Sequence, residues 1–86
     1  MPDLIFKKSA ARYYSKLPSN IRSRLNEVFD TLAEERTEKL DIKALKGEFE
    51  GIYRIRAGNL RIFFEFTGKS EITILEIIPR GDAYKS

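Results

Sequence analysis

The sequence predicts an α+β fold, in which helices pack on one face of a mostly antiparallel sheet. In the first part of the chain, apolar residues recur at helical spacing. In the last part, three β-rich segments are separated by short turn sequences. At 86 residues the chain is expected to form a single domain, residues 1–86.

The N-terminal part is expected to form a short strand over residues 3–6 and then two helices. Pro18 separates the helices, and Ser19 is expected to be the N-cap of the second one, which ends near residue 35 or 36. The first helix covers residues 8–17 because apolar positions recur at Ala10, Tyr13, Tyr14 and Leu17. The apolar stripe of the second helix consists of Ile21, Leu25, Val28, Phe29 and Leu32.

The C-terminal half is expected to form a three-stranded antiparallel meander. Residues 37–43 show no clear periodicity and are expected to be a connection. The two turns are Gly58-Asn59 and Gly68-Lys69-Ser70, which are typical turn residues. The strands cover residues 52–56, 60–66 and 72–78. Pro79-Arg80-Gly81 ends the last strand, and residues 82–86 form a short C-terminal segment.

The composition excludes several classes of chemistry. The chain has no cysteine and no histidine, so disulfides, Cys-His sites and Ser-His-Asp triads are ruled out, and neither a metal nor another cofactor is expected. No signal peptide or apolar stretch of about 20 residues is recognisable, so we expect a cytoplasmic protein with no membrane partner. The net charge of +3 is compatible with a polyanionic partner.

The alternation of side chains fixes the register of the predicted hairpin. If Gly58-Asn59 is a two-residue turn, Arg56 lies opposite Arg61, and Arg54 lies opposite Phe63. The core face then carries Tyr53, Ile55, Leu60, Ile62, Phe64 and Phe66. The other face carries Arg54, Arg56, Arg61, Phe63 and Glu65.

Opposed arginines are unusual in a strand pair selected for stability alone. Like charges directly opposite each other cost about 0.2–1 kcal/mol. One interpretation is that these are ordinary surface arginines whose repulsion Glu76 offsets from the next strand. The other is an anion site, because the guanidinium fork matches a phosphate group. Arg80 follows the third strand closely enough to approach this face, and Tyr84 could either stack on an unpaired base or pack on the protein body.

Two segments of the chain resemble the RelE/ParE superfamily of bacterial toxins. They are Tyr53-Arg54-Ile55-Arg56-Ala57-Gly58-Asn59-Leu60-Arg61-Ile62 and Arg80-Gly81-Asp82-Ala83-Tyr84. Leu45-Lys46-Gly47 also resembles the segment that leads into the second strand of that family. The resemblance implies a compact microbial-RNase-like fold and a toxin encoded beside an antitoxin. In the RelE branch it implies cleavage of messenger RNA in the ribosomal A site, by attack of a ribose 2′-hydroxyl on the adjacent phosphate without a metal.

The resemblance also assigns roles to individual residues. The implied catalytic residues are Arg54, Arg56, Arg61, Arg80 and Tyr84. The implied RNA-binding residues are Lys46, Arg54, Arg61 and Tyr84. RelE itself has lysines where this chain has Arg54 and Arg56, and an arginine effectively cannot give up its proton to act as a base. The proton acceptor is therefore left open among Tyr84, Lys46 and a group on the ribosome.

Two other functions are compatible with the same sequence. ParE-like relatives carry a similar strand but poison DNA gyrase and are not enzymes. A non-catalytic RNA-binding or DNA-binding module is the third possibility. The partners implied by the resemblance are a RelB-like, acidic antitoxin, the ribosome and messenger RNA, with operator DNA bound only through the antitoxin complex.

Overall fold

The computed structural model describes residues 2–79, and its α+β architecture confirms the predicted fold class. The helices are α1 (Lys8–Ser15) and α2 (Ser19–Ala33). The strands are β1 (Asp3–Phe6), β2 (Asp41–Ala44), β3 (Ile52–Ala57), β4 (Leu60–Gly68) and β5 (Glu71–Pro79). Single 3₁₀ turns at Thr37–Lys39 and Gly47–Phe49 precede and follow β2. None of the helices within residues 2–79 is long and apolar enough to cross a membrane.

The five strands form one sheet in the order β1-β5-β4-β3-β2. The predicted meander is confirmed, because β3, β4 and β5 pair antiparallel in succession. β1 pairs with β5 in parallel at one edge of the sheet, and β2 lies at the other edge, so the chain crosses the sheet between β1 and β2. The two helices lie in the first part of this crossover and cover one face, so the other face of β3 and β4 is left for the candidate site.

The sequence-based prediction missed β2, because residues 37–43 were expected to be a connection. In the structure Asp41 and Lys43 pair with Arg56 and Arg54 of β3. The strand is only four residues long and has two apolar residues, Ile42 and Ala44, so its alternation is too short to be recognised in the sequence. Its pairing with β3 forms it, which is a tertiary effect that overrides local propensity.

The ends of the helices also differ from the prediction. Ser19 is not an N-cap: it is the first residue of α2, and Pro18 holds the cap position. The Pro18 carbonyl accepts hydrogen bonds from the backbone N–H groups of Ile21 and Arg22, both at 3.0 Å. α1 ends at Ser15, two residues earlier than expected, since a residue before proline disfavours helical backbone and Leu17 precedes Pro18.

The core lies between the helices and the sheet, and its composition confirms most of the predicted core face. The predicted face contributes Ile55, Leu60, Ile62 and Phe64, all buried, while Tyr53 is half-buried. Phe66 was expected in the core but is 56% exposed. It lies on the correct face, edge-on to the Phe64 ring, but beyond the last β3–β4 pair. The remaining buried core residues are Ala10, Leu25, Phe29, Leu32, Ile72, Ile74 and Ile77.

Candidate functional site

The β3–β4 hairpin has the register that the two-residue turn predicts. Arg56 pairs with Arg61, Arg54 with Phe63, and Ala57 with Leu60. Gly58 adopts a φ of 60°, the left-handed backbone that tight hairpin turns require. The alternation of side chains therefore places Arg54, Arg56 and Arg61 together on the face of the sheet that points away from the buried core.

Neighbouring strands extend this arginine face into two rows that cross the sheet. Adjacent strands lie about 4.8 Å apart, so side chains within a row are close neighbours. The first row is Asp41, Arg56, Arg61 and Ile78. The second row is Lys43, Arg54, Phe63 and Glu76. The arginines thus occupy the middle of the sheet, and one carboxylate lies at an outer position of each row.

A groove with a volume of about 510 Å³ opens on this face. Its charged lining residues in the described part of the chain are Arg61 and Glu76. The remaining lining residues are apolar: Leu45, Phe49, Ile52, Phe63, Leu75 and Ile78. The site therefore combines a cationic centre with apolar walls, whereas the sequence predicted the arginines, Phe63 and Glu76 on this face but not the apolar walls.

The arginines of this face are packed closely onto the sheet. Arg61 is only 6% exposed, and Arg54 and Arg56 are half-buried. The Nε atoms of Arg54 and Arg56 are buried and have no hydrogen-bond partner, and within residues 2–79 neither residue forms an ion pair. An unsatisfied buried donor costs about 1–3 kcal/mol. A bound anion would supply an acceptor for the Nε–H groups of Arg54 and Arg56.

The other predicted site residues lie elsewhere. Lys46 is exposed and precedes the 3₁₀ turn at Gly47–Phe49; its neighbour Leu45 lines the groove, but Lys46 does not. Arg80 and Tyr84 lie outside the described residues. The sequence did not indicate that Leu45 and Phe49 would line the site, because both belong to the β2–β3 region whose strand was not recognised.

The chain is similar to one family of proteins over nearly its whole length. Residues 4–84 match the family described as the ParE toxin of type II toxin–antitoxin systems, parDE. No curated protein matches the chain.

Solved structures show the same fold. The archaeal RelE–RelB complex from Pyrococcus horikoshii contains a chain 29% identical, with a TM-score of 0.78, covering 93% of this chain and 96% of that one. The RelB–RelE antitoxin–toxin complex from Methanococcus jannaschii gives 29% identity and a TM-score of 0.75, with 93% and 94% covered. The toxin–antitoxin complex RelBE2 from Mycobacterium tuberculosis gives 26% identity and a TM-score of 0.76, with 93% and 100% covered.

Proposed function

Because the chain belongs to the ParE toxin family of type II toxin–antitoxin systems, we propose that it is a toxin of the RNA-cleaving kind: a metal-independent endoribonuclease that cuts messenger RNA in the ribosomal A site and so inhibits translation. The observation that carries this proposal is the arginine face. Arg54, Arg56 and Arg61 lie side by side on a rigid sheet, opposite the core and beside an open groove.

The arginine face suits the charge that develops during RNA cleavage. Attack by a ribose 2′-hydroxyl on the adjacent phosphate produces a pentacovalent phosphorane with additional negative charge. Preorganised cationic donors stabilise such a transition state most where water is excluded. Arg61, buried between Arg56 and the groove, would bind the oxygens of the scissile phosphate, while Arg54 and Arg56 would neutralise the flanking negative charge.

The apolar walls of the groove suit a nucleotide base that has left its stack. Base recognition in single-stranded RNA depends on stacking with aromatic side chains. Phe63 offers a ring inside the groove, and Phe49 contributes a second at its wall. The resemblance adds Tyr84 as a stacking residue, Arg80 as a further phosphate ligand and Lys46 as an RNA contact.

The partners follow from the same proposal. The similar solved structures in Pyrococcus, Methanococcus and Mycobacterium are complexes of a toxin with its antitoxin. We propose a cognate RelB-like antitoxin for this chain as well. An acidic antitoxin would complement the net charge of +3, and operator DNA would be bound only through the complex.

One observation favours a second function. The matching family is described as ParE toxin, and ParE-like proteins poison DNA gyrase instead of cutting RNA. In that case the arginine face would be a binding surface with no chemistry, and the chain would not be an enzyme.

Translating ribosomes on a defined message distinguish the two functions. Purified protein is added, and the 3′ ends of the message are mapped by primer extension. We expect new ends within the A-site codon, absent with Arg61→Ala and present with Arg36→Ala. Arg36 is the control because it lies in the α2–β2 connection and forms an exposed ion pair with Glu34. If no A-site ends form and a parallel assay traps gyrase–DNA cleavage complexes, the gyrase function replaces this proposal.

A further inference from the structure

Glu76 is the carboxylate that lines the groove together with Arg61. It pairs with Phe63 across the β4–β5 ladder, and Arg61 pairs with Ile78 two residues further along. Glu76 and Arg61 are therefore diagonal neighbours on one face, about 7–8 Å apart at the backbone and within reach of long side chains.

A β-bulge next to Glu76 shapes this side of the groove. The β4–β5 register shifts between Phe63, which pairs with Glu76, and Phe64, which pairs with Ile74. Leu75 is thus the extra residue of β5, and both Leu75 and Glu76 line the groove. Bulges are frequent next to active sites because they redirect side chains.

The Glu76 carboxylate is not used to hold the fold together. Glu76 is exposed, and within residues 2–79 it makes no side-chain hydrogen bond and no ion pair. A residue present only to offset the arginines would be expected to pair with one of them. Glu76 instead leaves both carboxylate oxygens open to a molecule in the groove.

The proposed reaction requires a proton acceptor that the arginines cannot provide. The chain has no histidine, and an arginine effectively stays protonated in proteins. We propose that Glu76 is the general base of the cleavage reaction, an assignment that rests on the proposed ribonuclease function. Its carboxylate accepts the proton of the 2′-hydroxyl while the 2′-oxygen bonds to phosphorus and the P–O5′ bond breaks. The products are a 2′,3′-cyclic phosphate and a 5′-hydroxyl, whose oxygen takes its proton from water.

The arginine face explains how a carboxylate can operate beside a phosphate. Two anions would repel each other in an apolar groove, but three guanidinium groups lie on the same face. Arg61, the diagonal neighbour of Glu76, would hold the phosphate between the two side chains and stabilise the charge gained during attack.

Single-turnover cleavage on ribosomes with excess toxin tests the assignment. Glu76→Gln is expected to lower the cleavage rate by roughly 10²–10⁴-fold, the usual contribution of general base catalysis. Glu76→Asp should recover part of it, and binding to ribosomes carrying a non-cleavable 2′-deoxy message should stay unchanged. Glu65→Gln is the matched control, because Glu65 lies on the same face but does not line the groove. This variant should cleave at the wild-type rate.

A message with sulfur in place of the 5′-bridging oxygen shows whether Glu76 acts as a general base or as a general acid. The sulfur leaving group needs no proton, so the defect of Glu76→Gln should persist if Glu76 removes the 2′-hydroxyl proton. Full recovery on this substrate, or normal cleavage of the unmodified message by Glu76→Gln, would overturn the assignment while leaving the ribonuclease function intact. Absence of cleavage by the wild-type protein would overturn both.

Discussion

Arg56 and Arg61 lie directly opposite each other on β3 and β4, in the middle of the five-stranded sheet. Asp41 pairs with Arg56 from the other side, but no ion pair joins these two residues in the described part of the chain. Opposed arginines cost a strand pair about 0.2–1 kcal/mol, so placing Arg56 opposite Arg61 favours a role other than stability.

Replacing one of the two arginines should therefore separate stability from function. We expect Arg56→Thr to leave the free energy of unfolding unchanged or raise it by up to about 1 kcal/mol, since it removes the repulsion and places a β-branched residue in a strand. Cleavage should fall because a cation beside the phosphate is lost. Urea unfolding and primer extension measure the two effects. A clear loss of stability would mean that Arg56 stabilises the sheet.

Arg61 should be needed for the shape of its guanidinium group as well as its charge. We expect Arg61→Ala and Arg61→Lys to remain folded, and both to lose roughly 10²–10³-fold in cleavage rate, because a lysine cannot form the two parallel hydrogen bonds of the arginine fork. Circular dichroism checks the fold, and single-turnover assays measure the cleavage rate. Cleavage by Arg61→Lys at the wild-type rate would show that charge alone suffices.

The hairpin was predictable from the sequence because period-2 alternation and a two-residue turn leave a single register that separates charged from apolar residues. β2 was not predictable, because its four residues are held by pairing with β3 and not by a pattern of their own. The groove was not predictable for the same reason, because two of its lining residues belong to this region. Leu45 follows β2, and Phe49 lies in the 3₁₀ turn after it. The α1–α2 boundary was placed correctly by Pro18, but the cap residue was not.

Phe66 was expected in the core, but it lies beyond the last β3–β4 pair and is exposed. Alanine substitutions at Phe64 and Phe66 test this difference in burial. We expect Phe64→Ala to lower the free energy of unfolding by about 3–5 kcal/mol, because a 1%-exposed ring leaves a cavity in the core. Phe66→Ala should cost less than about 1.5 kcal/mol, the contribution of its edge-on contacts with Tyr53 and Phe64. Equal losses in urea unfolding would show that Phe66 belongs to the core.

Glu35 lies two residues after the end of α2, in a strained conformation that glycine would relieve. Its φ is 61°, and the helix closes with hydrogen bonds from Glu35 N–H to Leu32 O and from Arg36 N–H to Thr31 O, both at 3.0 Å. This pattern is a Schellman motif, whose left-handed position is usually glycine. We expect Glu35→Gly to raise the free energy of unfolding by about 1 kcal/mol. Glu34→Gly, one residue earlier at a φ of −82°, should not stabilise.

Gly58 should resist substitution because of its backbone conformation and not because of its neighbour. Its φ is 60°, and a Cβ atom there would lie 3.2 Å from Nη1 of the exposed Arg24. The left-handed conformation costs a non-glycine residue about 1–2 kcal/mol, and the long Arg24 side chain can move aside. Gly58→Ala is therefore expected to lose about that much stability and to reduce cleavage, because the turn holds Arg56 opposite Arg61.

A double-mutant cycle with Arg24→Ala separates the two causes. If backbone strain dominates, Gly58→Ala costs the same free energy of unfolding whether or not the Arg24 side chain is present. If the contact with Arg24 dominates, the cost disappears in the Arg24→Ala background. Gly68→Ala is the control at the next turn: its φ is not in the left-handed range, and its added Cβ would meet the Glu71 Cβ at 3.4 Å, an ordinary contact. That variant should therefore keep its stability and its cleavage rate.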